Sequence, residues 1–176
     1  MADFKALAVR VGCGNMEIRR MKPADIPEIM KLYRKTFHPN FHAYGELMLG
    51  ITDSRGRISE GGFRKYRSIL RKILNGKAFG GVISVSRVAE EDEELVGFLT
   101  AFIYKDTRSG YLSDIGVGPK FRKRGIAITL IKAALEDFKA RKCRYAFANV
   151  NLKNKTSISL FRKFARELDE TFVIEL

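Results

Sequence analysis

The 176-residue chain has only two cysteines, Cys13 and Cys143, and they belong to no cluster with metal-ligand spacing, so no metal site is expected. Two such residues could pair, but in a chain without a leader, free thiols in a reducing compartment are the default. The opening segment, "MADFKALAVRVGCGNMEIRR", lacks the apolar run of a secretory leader, so a cytoplasmic location is expected. No stretch reaches the ~18 apolar residues of a membrane span, and no membrane partner is expected. Repeats, low-complexity tracts and linkers are missing too, which leaves residues 1–176 as a single expected domain. Two familiar phosphate loops are absent: the lysine-bearing G-x-x-x-x-G-K-[ST] and the dinucleotide G-x-G-x-x-G. The fragment "GCG" at Gly12–Gly14 is followed by no helix.

What is present is apolar material for a core, 45% of the chain, and a large positive charge. The net charge is +13, from 33 Lys and Arg against 20 Asp and Glu. The excess is concentrated: Pro119 to Arg166 holds fourteen basic residues and two acids, Glu136 and Asp137. Such a field attracts phosphates, on a cofactor or on an acidic or nucleic-acid-associated partner; the plainer alternative is a solvated basic face.

The spacing predicts a strand at "NMEIRRM" and a helix through "KPADIPEIMKLYRKTF", with Ile26, Ile29, Met30, Tyr33 and Phe37 on one face. His38 to Arg57 reads as irregular, and His38 and His42 as loop residues. A second helix is expected from Ser59 to Leu74, with Phe63, Tyr66, Ile69, Leu70, Ile73 and Leu74 on its apolar face. "AFGGVISVSRVA" and "ELVGFLTAFIYK" read as strands joined through "EEDEE", a solvated hairpin tip. "GYLSDIGV" is a third strand, and Gly125 to Arg141 a helix. "RYAFANV" is a strand, "KTSISLFRKFAREL" a helix and "TFVIEL" a last strand. The strand–helix–strand unit after Tyr111 implies a right-handed parallel crossover, and the hairpins imply antiparallel pairing. The expected fold is therefore α/β (α+β): a mixed, mostly antiparallel sheet with helices on both faces.

The densest signal is "DIGVGPKFRKRGIAITLIKAAL", from Asp114 to Leu135. A strand ends at Gly116–Pro119, four basic residues follow, and Gly125 opens a helix. The first N–H groups of a helix have no internal partners and sit at the positive end of its dipole, so an anion is favoured there. Gly125 and Ala127 let a phosphate approach the backbone, and Arg122, Lys123 and Arg124 add charge around it.

Arg122, Gly125 and Ala127, in the pattern R-x-x-G-x-A, resemble the pyrophosphate loop of the GNAT N-acetyltransferase superfamily. "MEIRRMKPADIPEIMKLY" resembles that family's opening strand and helix, and "ELVGFLTAFI" its central strand. "YLSDIGVGPKFRKRGIAITLIKAAL" resembles its cofactor strand, loop and helix, and "NVNLKNKTSISLFRKFA" its late strand and helix, with Asn154 at the family's asparagine. The resemblance implies the acyl-CoA N-acyltransferase fold, with its parallel strand pair splayed, and acetyl-CoA as cosubstrate. It implies a pantetheine arm beside Ile115, Gly116 and Val117, and a pyrophosphate on the N–H groups of Arg122, Lys123, Arg124, Gly125, Ile126 and Ala127. Asn154 would reach the pantetheine or its carbonyl. The implied reaction is acetyl transfer to a primary amine of a small molecule or protein, by direct attack in a ternary complex. A non-catalytic acyl-CoA-binding module, or a nucleic-acid- or ribosome-associated one, is the alternative; a monomer or homodimer is expected.

Acetyl transfer needs an oxyanion donor and a proton acceptor. The backbone N–H of Val117 is the candidate donor. In the family branch that acetylates protein N-termini, a glutamate and a tyrosine occupy the positions that here hold Asn149 and Phe161, so proton transfer must be arranged differently. The strand that normally follows the late helix looks shortened or missing before "TFVIEL". Asp114 is a candidate base, although alternation points it away from Ile115 and Val117; otherwise it bonds to neighbouring backbone or to a basic residue. Tyr104 and Tyr111 are further possible proton carriers, or packing residues. Cys143 reads as structural.

Overall fold

A computed structural model of the chain describes residues 7–8, 16–37, 46, 49–53, 55–76, 82–168 and 171–175. Cys13, His38, His42 and positions 78–81 of the second predicted strand lie outside these residues.

The chain opens with β1 (Leu7–Ala8) and β2 (Met16–Arg20), followed by a 3-10 turn at Pro23–Asp25 that feeds α1 (Ile26–Thr36). The prolines sit in that first turn, where their missing N–H groups are harmless. Next comes α2 (Glu60–Leu74), whose N-cap Ser59 accepts from the Gly62 N–H at 3.1 Å. Four strands follow: β3 (Val82–Ser84), β4 (Arg87–Glu91), β5 (Glu94–Tyr104) and β6 (Ser109–Val117). Then come α3 (Ile126–Ala140), β7 (Tyr145–Asn149), α4 (Lys155–Phe161), β8 (Arg166–Leu168) and β9 (Thr171–Glu175).

The strands form one sheet in the order β1-β2-β4-β5-β6-β7-β9-β8, with β3 also on β5. Among the described strands only the β6–β7 pair is parallel, and α3 is its crossover. One apolar layer packs α3 and α4 on one face, with Leu130, Ile131, Phe138, Ile158 and Phe161 against Leu99, Ala101, Leu112 and Ala146. The other packs α1 and α2 on the opposite face, with Ile29, Tyr33, Tyr66 and Leu70 against Val88 and Phe98. The mixed sheet covered on both faces thus matches the expected architecture.

Three expectations need correction. The second predicted strand is interrupted at Val85–Ser86, although β3 and β4 keep one register on β5. There the Ser86 hydroxyl accepts the Ala101 N–H at 3.2 Å, replacing a ladder bond. The predicted last helix ends at Phe161. Phe164 and Ala165 fold back onto the core, and Arg166–Leu168 pairs with β9 instead. Tertiary pairing overrides helical propensity here, and the strand expected to be shortened or missing is present in shortened form, three residues long. Finally, "EEDEE" is a tight turn, with Asp92 and Glu93 at positive φ, but its flanks are not merely solvated. Glu90 pairs with Arg19 at 2.7 Å, and Glu91 with Arg124.

One polar contact ties the layers together. Asp137 points inward from α3, where Arg87 of β4 binds it and Arg20 of β2 lies 3.5 Å away. Removing one member of such a buried pair leaves the other charge stranded. Asp137→Ala is therefore expected to cost about 3–5 kcal/mol in urea unfolding. The combined Arg87→Met and Asp137→Leu change is expected to restore most of that loss.

Candidate active site

The parallel ladder is short. β6 and β7 pair only from Ser109↔Tyr145 to Leu112↔Ala148. Beyond it β6 stays with β5 as far as Val117, whereas Asn149 continues on β9. The strands therefore part. At the parting point, β6 carries one extra residue: Thr100 pairs with Asp114, but Ala101 pairs with Leu112, so Ser113 bulges.

That bulge changes which face Asp114 occupies. Leu112 packs into the α3 layer, and strict alternation would send Asp114 there as well. With Ser113 inserted, Asp114 falls on the α1–α2 face, and Ile115 and Val117 return to the α3 layer. Main-chain donors follow the same logic. The Asp114 N–H reaches Thr100 Oγ1 at 2.9 Å and the Gly118 N–H reaches the Val96 carbonyl at 2.9 Å, both on β5. The intervening Ile115 and Val117 N–H groups therefore point toward the side that β7 has left. Gly116 faces α1, where a Cβ would collide with the Phe98 ring.

A cavity of about 480 Å³ opens at the parting and extends between the sheet and α1–α2. Ser113, Asp114 and Ile115 line it, as do Asn149, Asn154 and Phe161 on the far side of the gap. Toward α1 and α2 its wall is Tyr33, Glu46, Tyr66, Ile69 and Ile73; along the sheet it is Thr100, Phe102, Tyr104 and Tyr111.

Among the described residues Asp114 bonds to no basic side chain, contrary to one sequence reading. Thr100 donates to its carboxylate at 2.8 Å, Ser113 at 3.1 Å and Tyr66 at 3.3 Å. Burial pushes its pKa above the ordinary 3.8, although the three hydroxyls work the other way. Nor does facing away from Ile115 remove it from the site, because the cavity opens on its own face. Tyr33 stacks on Tyr66 at 4.2 Å between ring centres and donates to Glu46 at 3.2 Å. Burial, and then the Asp114 charge, hold the Tyr111 hydroxyl up at about 12. Tyr111 stacks on Phe147 at 4.8 Å. Cys143 is buried, which pushes its thiol up and fits the structural reading. Tyr33, Tyr66 and Glu46 were missed as polar site residues. The available signal was two tyrosines on apolar helix faces, since a buried hydroxyl needs a partner.

At the other end of the gap lies the start of α3. Gly125 is its N-cap with φ 81°, and no side chain caps the helix. A Cβ on Gly125 would meet nothing within 4 Å, so the approach is open. The N–H groups of Ile126 and Ala127 lie within the first turn and precede the first internal bond, from Thr129 to Gly125, at 3.0 Å. Lys123 also takes a positive φ, 62°, and is exposed. Arg122 donates to the Val117 carbonyl at 3.2 Å. Arg124 is engaged by Glu91 through two bonds, at 2.9 and 2.6 Å. Its charge holds the Glu91 carboxyl below the usual range. Asn154 caps α4, accepting the Ser157 N–H at 3.1 Å, and also lines the cavity. Among the described residues, no group of three or more His, Cys, Asp or Glu is placed to hold a metal. None of their helices is long and apolar enough to cross a membrane.

A mostly antiparallel sheet parted at the parallel β6–β7 pair, with an uncapped helix start beside the gap, defines the acyl-CoA N-acyltransferase fold. Residues 52–165 match the Acetyltransferase (GNAT) family, and the chain belongs to that family. The L-2,4-diaminobutyric acid acetyltransferase of Shouchella clausii is 41% identical over 80 residues, which cover 45% of this chain and 45% of the relative. The chain thus spans under half the length of that curated relative. The PaiA N-acetyltransferase of Thermoplasma acidophilum, solved with coenzyme A, superposes with a TM-score of 0.64 at 17% identity, over 91% of this chain and 97% of that one. A GNAT family acetyltransferase from Brucella melitensis, solved with acetyl-CoA, gives 0.59 at 19% identity, over 92% and 88%.

Asp114 also sets a pH dependence. Because its pKa is raised on folding, the folded protein keeps a proton that the unfolded chain gives up above about pH 4. The stability cost of this group is nil below that pH and grows as pH rises toward the folded value. Asp114→Asn is therefore expected to raise the Tm at pH 7.5 by about 2–4 °C for each kcal/mol relieved, and to lose that advantage near pH 4. Thermal melts across pH check both halves.

Proposed function

We propose that the protein transfers an acetyl group from acetyl-CoA to a primary amine, by direct attack within a ternary complex. The observation that carries this reading is the alignment of three features: the uncapped start of α3, the N–H groups of Ile115 and Val117 facing the gap, and Asp114 on the adjoining cavity wall. The residues fit acetyl-CoA. The N–H groups of Ile126 and Ala127, with Lys123 and Arg122, would take the diphosphate. Gly116 and Val117 would run beside the pantetheine arm, and Asn154 would offer its amide nitrogen while its oxygen caps α4.

Bound acetyl-CoA supplies a thioester carbonyl: the C–N bond forms as the C–S bond breaks, and the thiolate leaves. Ile115 lines the cavity and Val117 does not, so Ile115 is the better-placed donor to the developing oxyanion, with Val117 next in line. One such donor is worth about 3 kcal/mol in comparable sites. Asp114 accepts the proton of the incoming ammonium, and its raised pKa suits that task. Phe161 has no hydroxyl, so the thiolate takes its proton from water. The carboxylates Asp114 and Glu46 on the acceptor side favour turnover over a binding-only module. A cytoplasmic setting suits the cosubstrate.

Two measurements test the reading. Gly125→Glu places a carboxylate where the diphosphate would sit, and is expected to weaken acetyl-CoA binding at least about a hundredfold, or roughly 3 kcal/mol. The positive φ should cost about 1–2 kcal/mol of stability, and the open space around the Cβ adds no clash to that. Calorimetric titration that found unchanged affinity would remove the loop from the site. Thiol release from acetyl-CoA is expected to require an added amine and to rise with pH as Asp114 ionises.

A further inference from the structure

The described lining of the acceptor chamber has a charge opposite to that of the protein. The chain carries +13, yet among the described residues lining the cavity the charged ones are two acids, Asp114 and Glu46. Glu46 accepts from Tyr33, and Asp114 is held by three neutral hydroxyls with no described cation beside it. From Asp114 the chamber continues along an apolar channel. Ile69 and Ile73 of α2 form one wall; Phe102, Tyr111 and Tyr104 of the sheet form the other. The aromatic wall is continuous, with Phe102 and Tyr111 6.4 Å apart and Phe147 stacked behind Tyr111 and Tyr104.

These features select an acceptor by exclusion. An amino-acid carboxylate would be desolvated beside Asp114, with no cation among the described lining residues to meet it. A sugar-borne amine would bury several hydroxyls against Ile69, Ile73 and Phe102, more than the Tyr104 and Tyr111 hydroxyls on that wall can pair. A single ammonium on a flat apolar body meets neither penalty. Its charge reaches Asp114, its body fills the channel, and the ring faces add cation–π attraction on the way in.

We infer that the acceptor is a primary amine carried on an aromatic or compact apolar body with no carboxylate or phosphate, its ammonium held by Asp114 and its body lying between α2 and the Phe102–Tyr111–Tyr104 wall. This rests on the acetyl-transfer reading and narrows it to one substrate class. It departs from the diaminobutyrate named for the curated relative.

The experiment compares phenethylamine and tyramine with L-2,4-diaminobutyrate, spermidine and kanamycin, by thiol release at saturating acetyl-CoA. Acetyl-CoA affinity is measured separately by calorimetry. The arylalkylamines are expected to show kcat/KM at least about tenfold above every other amine. Asp114→Asn is expected to weaken tyramine binding to the coenzyme A complex about thirtyfold or more, with acetyl-CoA affinity unchanged. Ile73→Arg, at a half-exposed position on the channel wall, is expected to raise the KM for tyramine and lower that for diaminobutyrate. Preference for diaminobutyrate, spermidine or kanamycin in the parent protein would overturn the inference and leave acetyl transfer standing. Acetyl-CoA binding with no turnover of any amine, or no acetyl-CoA binding at all, would overturn both.

Discussion

The β6–β7 ladder closes at Leu112↔Ala148 because each strand has a stronger commitment elsewhere: β6 to β5 through Val117, and β7 to β9 through Asn149. Ser113, the extra residue at that point, bends β6 and resets its alternation. Main-chain N–H groups without a strand partner are costly if they stay dry, at about 1–3 kcal/mol each. The sheet therefore carries a gap that an extended ligand with amide groups completes at little cost, whereas a side chain of the protein could fill it only by closing the cavity. The same inserted residue takes Asp114 out of the apolar α3 layer, where its carboxyl would have no partner, and places it among three hydroxyls. One local irregularity thus positions both the ligand groove and the carboxylate beside it.

Charge is divided between the two ends of the site. The loop before α3 is basic and open to solvent, so its field reaches outward and suits a phosphate-bearing ligand. The charged residues among the described lining of the chamber are acids set between largely apolar walls, so their field is strongest for a group that has already entered. A cation approaching a +13 protein is repelled at a distance and gains only on contact. The proposed acceptor would accordingly bring apolar surface as well as charge, since burial of that surface supplies what long-range attraction withholds.

Legibility in the sequence followed how local the cause was. α1 and α3 could be read from periodicity, and the loop at Arg122–Ala127 from the chemistry of a helix start, because each depends on neighbours in sequence. β8 could not: Arg166–Leu168 has no strand signature of its own and becomes a strand because β9 lies alongside. The Ser113 bulge was hidden for a related reason, since "YLSDIGV" alternates plausibly without it and only pairing with β5 shows the extra residue. Asp114 was visible as a candidate, but the face bearing the cavity was not. Tyr33 and Tyr66 were counted correctly as buried. Their polar role depends on Glu46 and Asp114, which lie 13 and 48 residues away in the chain.

The basic run itself illustrates why counting charges misjudges a phosphate site. Of the three cations at 122–124, Arg124 is engaged by Glu91 at the β4–β5 hairpin, and Arg122 donates to the Val117 carbonyl. Both contacts stitch the loop to the sheet it leaves. Lys123 is the one of the three with no described side-chain partner, and both it and Arg122 are exposed. The loop's capacity for an anion thus depends less on side-chain charge than on backbone held in place. Arg124–Glu91 anchors the turn, Gly125 supplies a conformation that other residues reach only under strain, and the uncapped first turn of α3 presents its N–H groups. A lysine-rich loop without the hairpin contact would carry the same charge and aim it nowhere. Glu91, which in the sequence looks like one more solvated acid, is for that reason part of the architecture that holds the loop before α3.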